Sequence, residues 1–343
     1  MIDLCIDARM AFSSGIGTFI RQLVPLLNHS PFKVTLLVKD HSWQSDCEQI
    51  LFDAPIYSIK EQVLFPRLIP RCDLFWSPHY NVPLLPVRAK KRIVTIHDTC
   101  HLAFGSLLEK AYAKMMMRKA LKSDLVTTVS HFSRSEIERF FGKGQINVIP
   151  IGVNQDHFRR VESVDDIRKK YQLPNRFLLY VGNLKPHKNL TGLLKAFSKI
   201  GMTDLGLVLV GKGSVEIREK VLSIGEVLDI ELPFLYSMAE AFVFPSFYEG
   251  FGLPPLEAMS CGCPTVVSNA ASIPEVCGEA SLYFHPERIE EMAHAIKQVI
   301  EDQTLKQSLI QKGFERIQLF SWAETANKYR ELFEVCYAQR DRS

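Results

Sequence analysis

The chain has 343 residues, of which 47% are apolar, and its formal net charge of +3 is small. Because single hydrophobic cores stop growing near about 250–300 residues, this length predicts two domains. The small charge does not indicate nucleic acid as a partner. No apolar run reaches the roughly 18–20 residues that a membrane span needs.

The first residues predict a β-strand and not a secretion signal. Met1–Asp7 has no basic region ahead of an apolar one. The eight cysteines are scattered without a Cys-x-x-Cys pair, and Cys261 and Cys263 are too close to read as half of a zinc site. We therefore expect reduced thiols, a cytoplasmic protein and no metal site.

A glycine loop follows the first predicted strand, Leu4–Ile6. Gly15 and Gly17 open a helix that runs to about Asn28 with an apolar face. A glycine loop between the first strand and the first helix is where open α/β folds admit phosphates. The third glycine of a dinucleotide fingerprint is missing, so this loop fits a phosphate site or a plain turn. A dinucleotide oxidoreductase is disfavoured for the same reason.

Further strands are predicted in this half at Lys33–Val38, Asp73–Ser77, Arg92–Ile96, Leu125–Val129 and Asn147–Pro150. Ser130 is expected to cap a helix over Phe132–Phe141. The segment Trp43–Arg71 between the first two is poorly patterned and contains three prolines. We predict one weak strand there, Ile56–Ile59, with irregular connections on both sides.

His97 and Asp98 directly follow the strand that ends at Ile96. Ligand-contacting residues cluster where strands of an open α/β sheet end, which makes both residues candidates for catalysis. His101 lies four residues after His97, but no third ligand accompanies the pair, which disfavours a metal. A lone histidine is more often structural, so the residues alone leave both interpretations open.

A basic stripe is predicted on the helix Leu107–Lys122. Its members fall four residues apart and are Lys110, Lys114, Arg118 and Lys122. One interpretation is a solvated positive face. The other is peripheral contact, at the inner face of a membrane, with an anionic lipid head group or a pyrophosphate-linked lipid acceptor.

The second half of the chain repeats the alternation of strands and helices. Arg176–Val181 reads as a strand, and Gly182 supplies a turn before the helix Leu190–Ile200. Lys188 at the start of that helix is placed to meet phosphate charge. Only about ten residues join the predicted strand Leu207–Val210 to the next one, Val221–Ile224, so we expect the helix between them to be short or lost.

The most informative stretch lies between Phe242 and Val267. A buried strand, Phe242–Phe244, ends at Pro245, and a glycine turn follows with Gly250 and Gly252. Pro254 and Pro255 then suit the start of a helix. We therefore expect the N–H groups of Phe251, Gly252 and Leu253, together with the helix dipole, to favour a phosphate.

Two carboxylates flank that turn, Glu249 just before the glycines and Glu257 in the first helical turn. A carboxylate accepts paired hydrogen bonds from vicinal hydroxyls, such as those of a sugar or a ribose. Phosphate donors between two carboxylates suit a nucleotide sugar. The competing interpretation is a buried strand–turn–helix in which Glu257 only favours the helix terminus. Downstream, Ser272–Glu275 reads as a loop, and helices complete the chain.

The run Pro-Ser-x-x-Glu-Gly-Phe-Gly-Leu-Pro-x-Leu-Glu-Ala-Met resembles the signature of the retaining glycosyltransferases of family 4. The resemblance extends over nearly the whole chain and implies the GT-B fold, in which two doubly wound α/β Rossmann-like domains face each other across a cleft. It implies an acceptor-side domain over residues 1–160, a nucleotide-sugar domain over 161–320, and a C-terminal helix over 321–343 that crosses back to the first domain.

The resemblance also implies roles for individual residues. Glu249 would hold the hydroxyls of the transferred sugar, and Glu257 those of the ribose. His97, with Asp98 beside it, would contact the sugar near the reacting carbon. The remaining candidates are assigned to binding of the donor diphosphate: Gly15, Gly17, Asn183, Lys188, Gly250, Phe251, Gly252 and Leu253.

Asn183 departs from the family, which usually has an arginine there. An asparagine has neither the positive charge of an arginine nor its planar set of N–H donors. Lys188 must therefore hold more of the diphosphate. No Asp-x-Asp occurs in the chain, so the expected mechanism uses no metal cofactor. Positive groups and a helix N-terminus would instead stabilise the leaving diphosphate.

The resemblance is strongest to mannosyltransferases of bacterial surface polysaccharides, which implies GDP-mannose as donor and a glycan or lipid-linked glycan as acceptor. The nearest alternative is a transferase that uses UDP-glucose or another UDP-sugar. A non-catalytic partner subunit that binds a nucleotide sugar is an alternative of another class, kept open by Asn183 and the short 211–220 connection. The acceptor, the linkage and the oligomeric state are not predicted.

Overall fold

The computed structural model describes residues 1–213 and 219–339. Their contacts divide into two units, one formed by Met1–Gly152 with the C-terminal segment from Trp322, the other by Val153–Ser321. Each unit is built on its own parallel sheet with helices in most of the connections between strands, so the Rossmann-like, doubly wound class expected from the sequence is confirmed for both.

The sheet of the first unit has seven strands in the order β3-β2-β1-β4-β5-β6-β7. The strands are β1 (Ile2–Asp7), β2 (Phe32–Val38), β3 (Glu48–Leu51), β4 (Cys72–Ser77), β5 (Ala89–Thr95), β6 (Leu125–Thr128) and β7 (Asn147–Val148). The helices are α1 (Ser14–Leu27), α2 (Ile59–Leu68), α3 (Cys100–Phe104), α4 (Leu107–Ala120) and α5 (His131–Phe141). The chain steps outward from β1 to β3 and returns on the other side with β4.

The sheet of the second unit has six strands in the order β10-β9-β8-β11-β12-β13. The strands are β8 (Arg176–Val181), β9 (Leu205–Val210), β10 (Val221–Gly225), β11 (Ala241–Phe244), β12 (Thr265–Ser268) and β13 (Ser281–Phe284). The helices are α6 (Asp165–Tyr171), α7 (Leu190–Ile200), α8 (Leu232–Met238), α9 (Leu253–Ser260), α10 (Ile273–Cys277), α11 (Ile289–Glu301) and α12 (Gln303–Ile317). Here the strand order reverses between β8 and β11.

The C-terminal helix α13 (Trp322–Ala338) belongs to the first unit and buries aromatic side chains there. Tyr329 lies 5.1 Å from Trp76 of β4 between ring centroids and is fully buried. The hydroxyl of Tyr329 lies 3.1 Å from the hydroxyls of Thr95 and of Thr127. Because these threonines belong to β5 and β6, a polar group on α13 is satisfied by the sheet itself.

Apolar residues that alternate along the strands form the core of each unit. In the second unit, Leu178, Leu207 and Val243 pack with Leu193 of α7 and Ile296 of α11, and all five are buried. Continuous apolar runs are what strands covered on both faces require. The strands Arg176–Val181 and Leu207–Val210 and the helix Leu190–Ile200 are therefore confirmed.

The prediction of a strand over Ile56–Ile59 is wrong. The structure has strand β3 earlier, at Glu48–Leu51, and starts helix α2 at Ile59. Ser58 caps α2, because its hydroxyl accepts a hydrogen bond of 3.1 Å from the Glu61 N–H. Pro66 has no N–H for the i−4 carbonyl, and α2 ends two residues later at Leu68.

The sequence also predicts the conformation of two connections near strand ends. Ser272–Glu275, predicted as a loop, contains the start of the short helix α10, and Pro274 occupies a first-turn position that prolines tolerate. In the short connection between β9 and β10, residues 214–218 lie outside the described residues.

Candidate active site

In the second unit, the predicted donor residues lie at the carboxyl ends of β8 and β11. Gly182 and Asn183 follow β8, and Glu249 belongs to the loop that follows β11. These two strands are neighbours, and the strand order reverses between them. In open α/β sheets that reversal leaves a crevice in which ligands bind.

The structure brings Lys188 and Glu249 together. Lys188 ends a short 3₁₀ turn, and its Nζ donates to both carboxylate oxygens of Glu249 at 2.7 and 2.9 Å. The side chains are 14% and 12% exposed, so the pair is accessible to solvent and is not sealed in the core. Lys188 Nζ also lies 5.5 Å from the centre of the Phe244 ring. A lysine and a carboxylate in contact are suited to bind a phosphate and a sugar hydroxyl of one ligand.

The glycine turn after Glu249 leads directly into helix α9. Gly252 is the residue before the helix and has φ +101°, a left-handed conformation that favours glycine. The turn is anchored by Ser272, whose hydroxyl lies 2.9 Å from the carbonyl oxygens of Glu249 and Phe251. Phe251 is buried against Phe320. The turn therefore fixes the position of the α9 N-terminus, which carries the positive end of the helix dipole.

Glu257 is part of α9 and has an unusual environment for a carboxyl group. The Tyr236 hydroxyl of α8 donates a hydrogen bond of 2.9 Å to its Oε2. Burial raises the pKa of Glu257 to about 7, although the bond from Tyr236 opposes the rise. A carboxyl group held at such a pKa is typical of functional sites.

Asn183, the departure from the family pattern, has a buried side-chain oxygen. Its Oδ1 has no hydrogen-bond partner among the described residues, while its backbone carbonyl accepts a bond of 2.8 Å from the Tyr180 hydroxyl. The neighbouring Gly182 is tightly packed, because a Cβ at Gly211 would lie 1.9 Å from its carbonyl oxygen. The turn after β8 is thus fixed by its neighbours.

In the first unit, His97 follows β5 and is held in one orientation. Its Nε2 lies 2.9 Å from the Pro78 carbonyl oxygen, and its ring packs edge-on against Phe19 with centroids 4.8 Å apart. Burial lowers the pKa of His97 to about 4, so the imidazole is neutral at pH 7. Since a carbonyl only accepts, Nε2 carries the proton and Nδ1 keeps its lone pair.

Asp98, the second predicted catalytic residue of this loop, also has a local role. Its Oδ1 accepts a hydrogen bond of 2.8 Å from the N–H of Cys100, the first residue of α3. That bond satisfies one of the N–H groups that a helix start leaves without a helical partner. One carboxylate oxygen is thus committed to the loop, and a catalytic role of Asp98 stays a prediction.

The space available for a side chain differs between Gly15 and Gly17. A Cβ at Gly17 would lie 2.6 Å from the carbonyl oxygen of Ala11, so the packing of the loop on α1 requires a glycine there. A Cβ at Gly15 would meet nothing within 4 Å among the described residues. The described packing therefore does not require a glycine at position 15, and a role of Gly15 in binding the diphosphate stays a prediction.

Sequence reasoning missed a buried charged network at the strand reversal of the first unit. Arg9, after β1, donates to Asp7 at 2.6 Å and to Glu61 of α2 at 2.7 Å, and His79 Nε2 lies 3.2 Å from Asp7. Although burial opposes ionisation, Arg9 and His79 hold the pKa of Asp7 well below its usual range. Asp7 and Arg9, two residues apart, were the available signal, but their partner Glu61 lies 52 residues after Arg9.

Helix α4 carries Lys110, Lys114 and Arg118 of the predicted basic stripe on a face that is also apolar, and Lys122 lies in the turn after the helix. Lys114, Arg118 and Lys122 are exposed, and Lys110 is half-buried. Leu107 and Leu108 at the start of the helix are 86% and 84% exposed. An open depression of about 540 Å³ lies along this face and is lined by Leu84, Ala111, Lys114, Met115, Arg118, Lys119 and Lys122.

Within the described part of the chain, no helix combines the length and the apolar character needed to cross a bilayer.

Two family models match complementary parts of the chain. Glycosyltransferase Family 4 matches residues 13–157, and Glycosyl transferases group 1 matches residues 163–316. O-antigen chain mannosyltransferase B of Escherichia coli is 34% identical over 275 residues, covering 72% of each chain. O-antigen chain mannosyltransferase RfbU of Salmonella typhimurium is 30% identical over 242 residues, covering 66% of this chain and 64% of its own.

A solved structure adds a comparison of the fold. HepE from Anabaena, in complex with UDP-glucose, superposes with a TM-score of 0.79 at 16% identity and covers 98% of this chain and all of its own. At that identity the likeness concerns the fold alone, which is GT-B. The two family models and the E. coli relative show that this chain is a hexosyltransferase and belongs to the glycosyltransferases of family 4.

Proposed function

We propose that the chain is a retaining mannosyltransferase that takes mannose from GDP-mannose, without a metal, and adds it to a glycan or lipid-linked glycan. The observation that carries the proposal is the pairing of Lys188 with Glu249 at the strand reversal of the second unit. A donor has a diphosphate and a sugar, and this pair offers one group for each. The names of the two O-antigen relatives support mannose as the transferred sugar.

Different residues of the second unit bind different parts of the donor. Lys188 and the N-terminus of α9 stabilise the negative charge that develops on the leaving diphosphate. Glu249 accepts hydrogen bonds from hydroxyls of the transferred sugar, and Glu257 accepts them from the ribose. The resemblance assigns His97 to the transferred sugar, and its uncharged ring offers Nδ1 as an acceptor for a hydroxyl.

A UDP-sugar is the second candidate donor. The solved structure of HepE, which has the same fold, contains UDP-glucose. Transfer from either donor uses the same diphosphate and ribose contacts, so only the base and the sugar distinguish the two. The non-catalytic alternative is less well supported, because the relatives named above are transferases.

Nucleotide binding tests the donor directly. The purified protein is heated with GDP, UDP, GDP-mannose or UDP-glucose in EDTA, because ligands that bind the folded state raise its Tm. A rise with the guanine nucleotides alone supports GDP-mannose and a metal-independent site. A rise in Tm with the uridine compounds alone would show that the donor is a UDP-sugar. No rise with any of the four compounds would refute the proposed site. Lys188→Ala should abolish the rise, and Lys195→Ala, at an exposed position of α7, should leave it unchanged.

The exposed face of α4 is the proposed contact with the membrane. Its occupant is an anionic bilayer surface, because the face combines apolar side chains that suit the acyl boundary with cations that attract anionic head groups. Leu107 and Leu108 provide the apolar part, and Lys114, Arg118 and Lys122 the positive part. The stripe is short, so the contact is reversible and holds the enzyme near a lipid-linked acceptor without anchoring it.

A further inference from the structure

Three tyrosines of the first unit form a cluster that the donor site does not use. Tyr57 precedes α2, Tyr80 follows β4, and Tyr112 lies on α4. The rings of Tyr57 and Tyr80 are stacked with centroids 6.2 Å apart, and Tyr112 packs edge-on against Tyr57 at 5.5 Å. Tyr57 remains 44% exposed although two rings pack against it. The cluster is therefore a surface with an open aromatic side chain.

The backbone of Tyr57 is held in a conformation that tyrosine rarely adopts. Its φ is +68°, in the left-handed region that favours glycine. The N–H of Tyr57 donates a hydrogen bond of 3.0 Å to Oε2 of Glu61, one helical turn ahead. Strained residues of this kind persist where the surroundings over-determine them, and they concentrate at ligand sites.

Glu61 is a fully buried carboxylate that orders the whole cluster. Its Oε1 accepts hydrogen bonds of 2.7 Å from Arg9 and of 2.7 Å from Asn81. Asn81 in turn accepts a bond of 2.6 Å from the Tyr112 hydroxyl. One buried network therefore fixes the backbone of Tyr57 and the ring of Tyr112, which is the preorganisation that a binding surface requires.

Polar groups surround the aromatic rings. The Tyr80 hydroxyl lies 3.2 Å from Nδ1 of His101. Asp98 belongs to the same turn as His101, because its Oδ1 accepts the N–H of Cys100 at the start of α3. Burial raises the pKa of Tyr57 and of Tyr80, and the negative charge of Asp98 adds to both rises. An aromatic face with a few polar groups beside it is the usual construction of a site for a small organic ligand. A pyranose ring fits it, since its C–H face packs on an aromatic ring and its hydroxyls need acceptors.

We propose that Tyr57 is the platform on which a sugar ring of the acceptor stacks, with Asp98 and His101 as hydrogen-bonding groups for its hydroxyls. This inference rests on the proposed transferase function and names a subsite of it. It places the specificity for the acceptor in the segment before α2 and in the loops after β4 and β5. The ligand class is a neutral hexose, because the nearby charge of Asp98 disfavours an anionic sugar.

Saturation-transfer NMR on the full chain tests the platform with defined probes. The probes are the methyl glycosides of mannose, glucose, galactose and N-acetylglucosamine, each offered with excess GDP. The variants are Tyr57→Ala, Tyr57→Gly and Tyr57→Phe. Glycine suits a positive φ, so loss of binding in Tyr57→Gly does not come from a strained fold. Tyr337→Ala, at a half-buried tyrosine of α13, is the matched control.

The expected result is that at least one glycoside binds the wild type and binds Tyr57→Ala and Tyr57→Gly about tenfold more weakly or worse. Tyr57→Phe and Tyr337→Ala should bind within about twofold of wild type. Equal binding by wild type and Tyr57→Ala overturns the inference, and so does a wild type that binds none of the four. The Tm rise with GDP is measured on the same samples. Its absence in the wild type would refute the donor assignment, whereas its presence without an effect of Tyr57 would refute the platform alone.

Discussion

Replacing Glu257 by glutamine should stabilise the second unit at alkaline pH. The pKa of this carboxyl rises from 4.5 to about 7 on folding, chiefly through burial. A pKa difference of about one between the folded and unfolded states corresponds to about 1.4 kcal/mol, so the ionised group costs the folded state about 3 kcal/mol once it is fully deprotonated. Glutamine is nearly isosteric, and its side-chain oxygen keeps an acceptor for the Tyr236 hydroxyl.

The sign of the effect follows from proton binding. Between about pH 4.5 and 7 the folded protein holds a proton on Glu257 that the unfolded chain has lost, so the wild type becomes less stable as the pH rises. Glu257→Gln removes this dependence. The variant should match the wild type at pH 4 and exceed its free energy of unfolding by about 3 kcal/mol at pH 8.

The assay must report on the second unit, because the three tryptophans, Trp43, Trp76 and Trp322, belong to the first. The protein is unfolded in urea, and pulse-labelling hydrogen exchange of peptides from α9 measures the unfolded fraction of the second unit. The free energy of unfolding follows from its dependence on urea. Glu287→Gln, at an exposed position of the same unit, is the control and should show no pH-dependent gain. Equal stability of Glu257→Gln and wild type at pH 8, or an equal gain at pH 4 and pH 8, would refute the reasoning. If Glu257 binds the ribose, the stabilised variant should also bind GDP more weakly.

Three further predictions concern the other assigned residues. Glu249→Gln removes the charged partner of Lys188. Isothermal titration should therefore find that the variant binds GDP at least as tightly as the wild type, while its turnover falls more than tenfold. Weaker binding of GDP would contradict the proposed division of roles between the two residues. Gly17→Ala should destabilise the first unit by about 1–3 kcal/mol in tryptophan-monitored unfolding, because its Cβ meets the Ala11 carbonyl, whereas Gly15→Ala should not. Replacing Lys114 and Arg118 by glutamine should weaken binding to phosphatidylglycerol vesicles by about 2 kcal/mol, roughly 30-fold, as measured by co-sedimentation. The weak binding to neutral vesicles should not change. Equal binding of the wild type to both vesicle types would refute the membrane contact.

The strand, turn and helix after Ala241 were predictable because each carries its own local signal. A continuous apolar run gives β11, Pro245 ends it, and glycines followed by prolines mark the turn and the start of α9. Neighbouring residues decide such features, so one sequence suffices to find them. The same holds for α5, whose cap at Ser130 was predicted and accepts a bond of 3.0 Å from Ser133 N–H.

Features that depend on distant partners were not predictable in the same way. Helix α2 was missed because its buried face includes the charged Glu61, which only the distant Arg9 and Asn81 make tolerable. A charge at a buried position breaks the apolar pattern on which helix prediction depends. The ion pair of Lys188 and Glu249 joins residues 61 apart, and only the adjacency of β8 and β11 brings them together.

The charged side chains at the strand reversals of the two units differ in exposure, and this difference supports the proposed division of ligands between the units. In the first unit, Arg9 pairs with both Asp7 and Glu61, and all three side chains are at most 1% exposed, so their charges are not accessible to a ligand. In the second unit, Lys188 and Glu249 are still 14% and 12% exposed, and a diphosphate is able to compete for the lysine. A doubly charged leaving group needs the accessible cation, whereas a neutral acceptor sugar needs shape and hydrogen-bonding groups. The buried network of the first unit supplies the latter by holding Tyr57 in place without presenting its own charge.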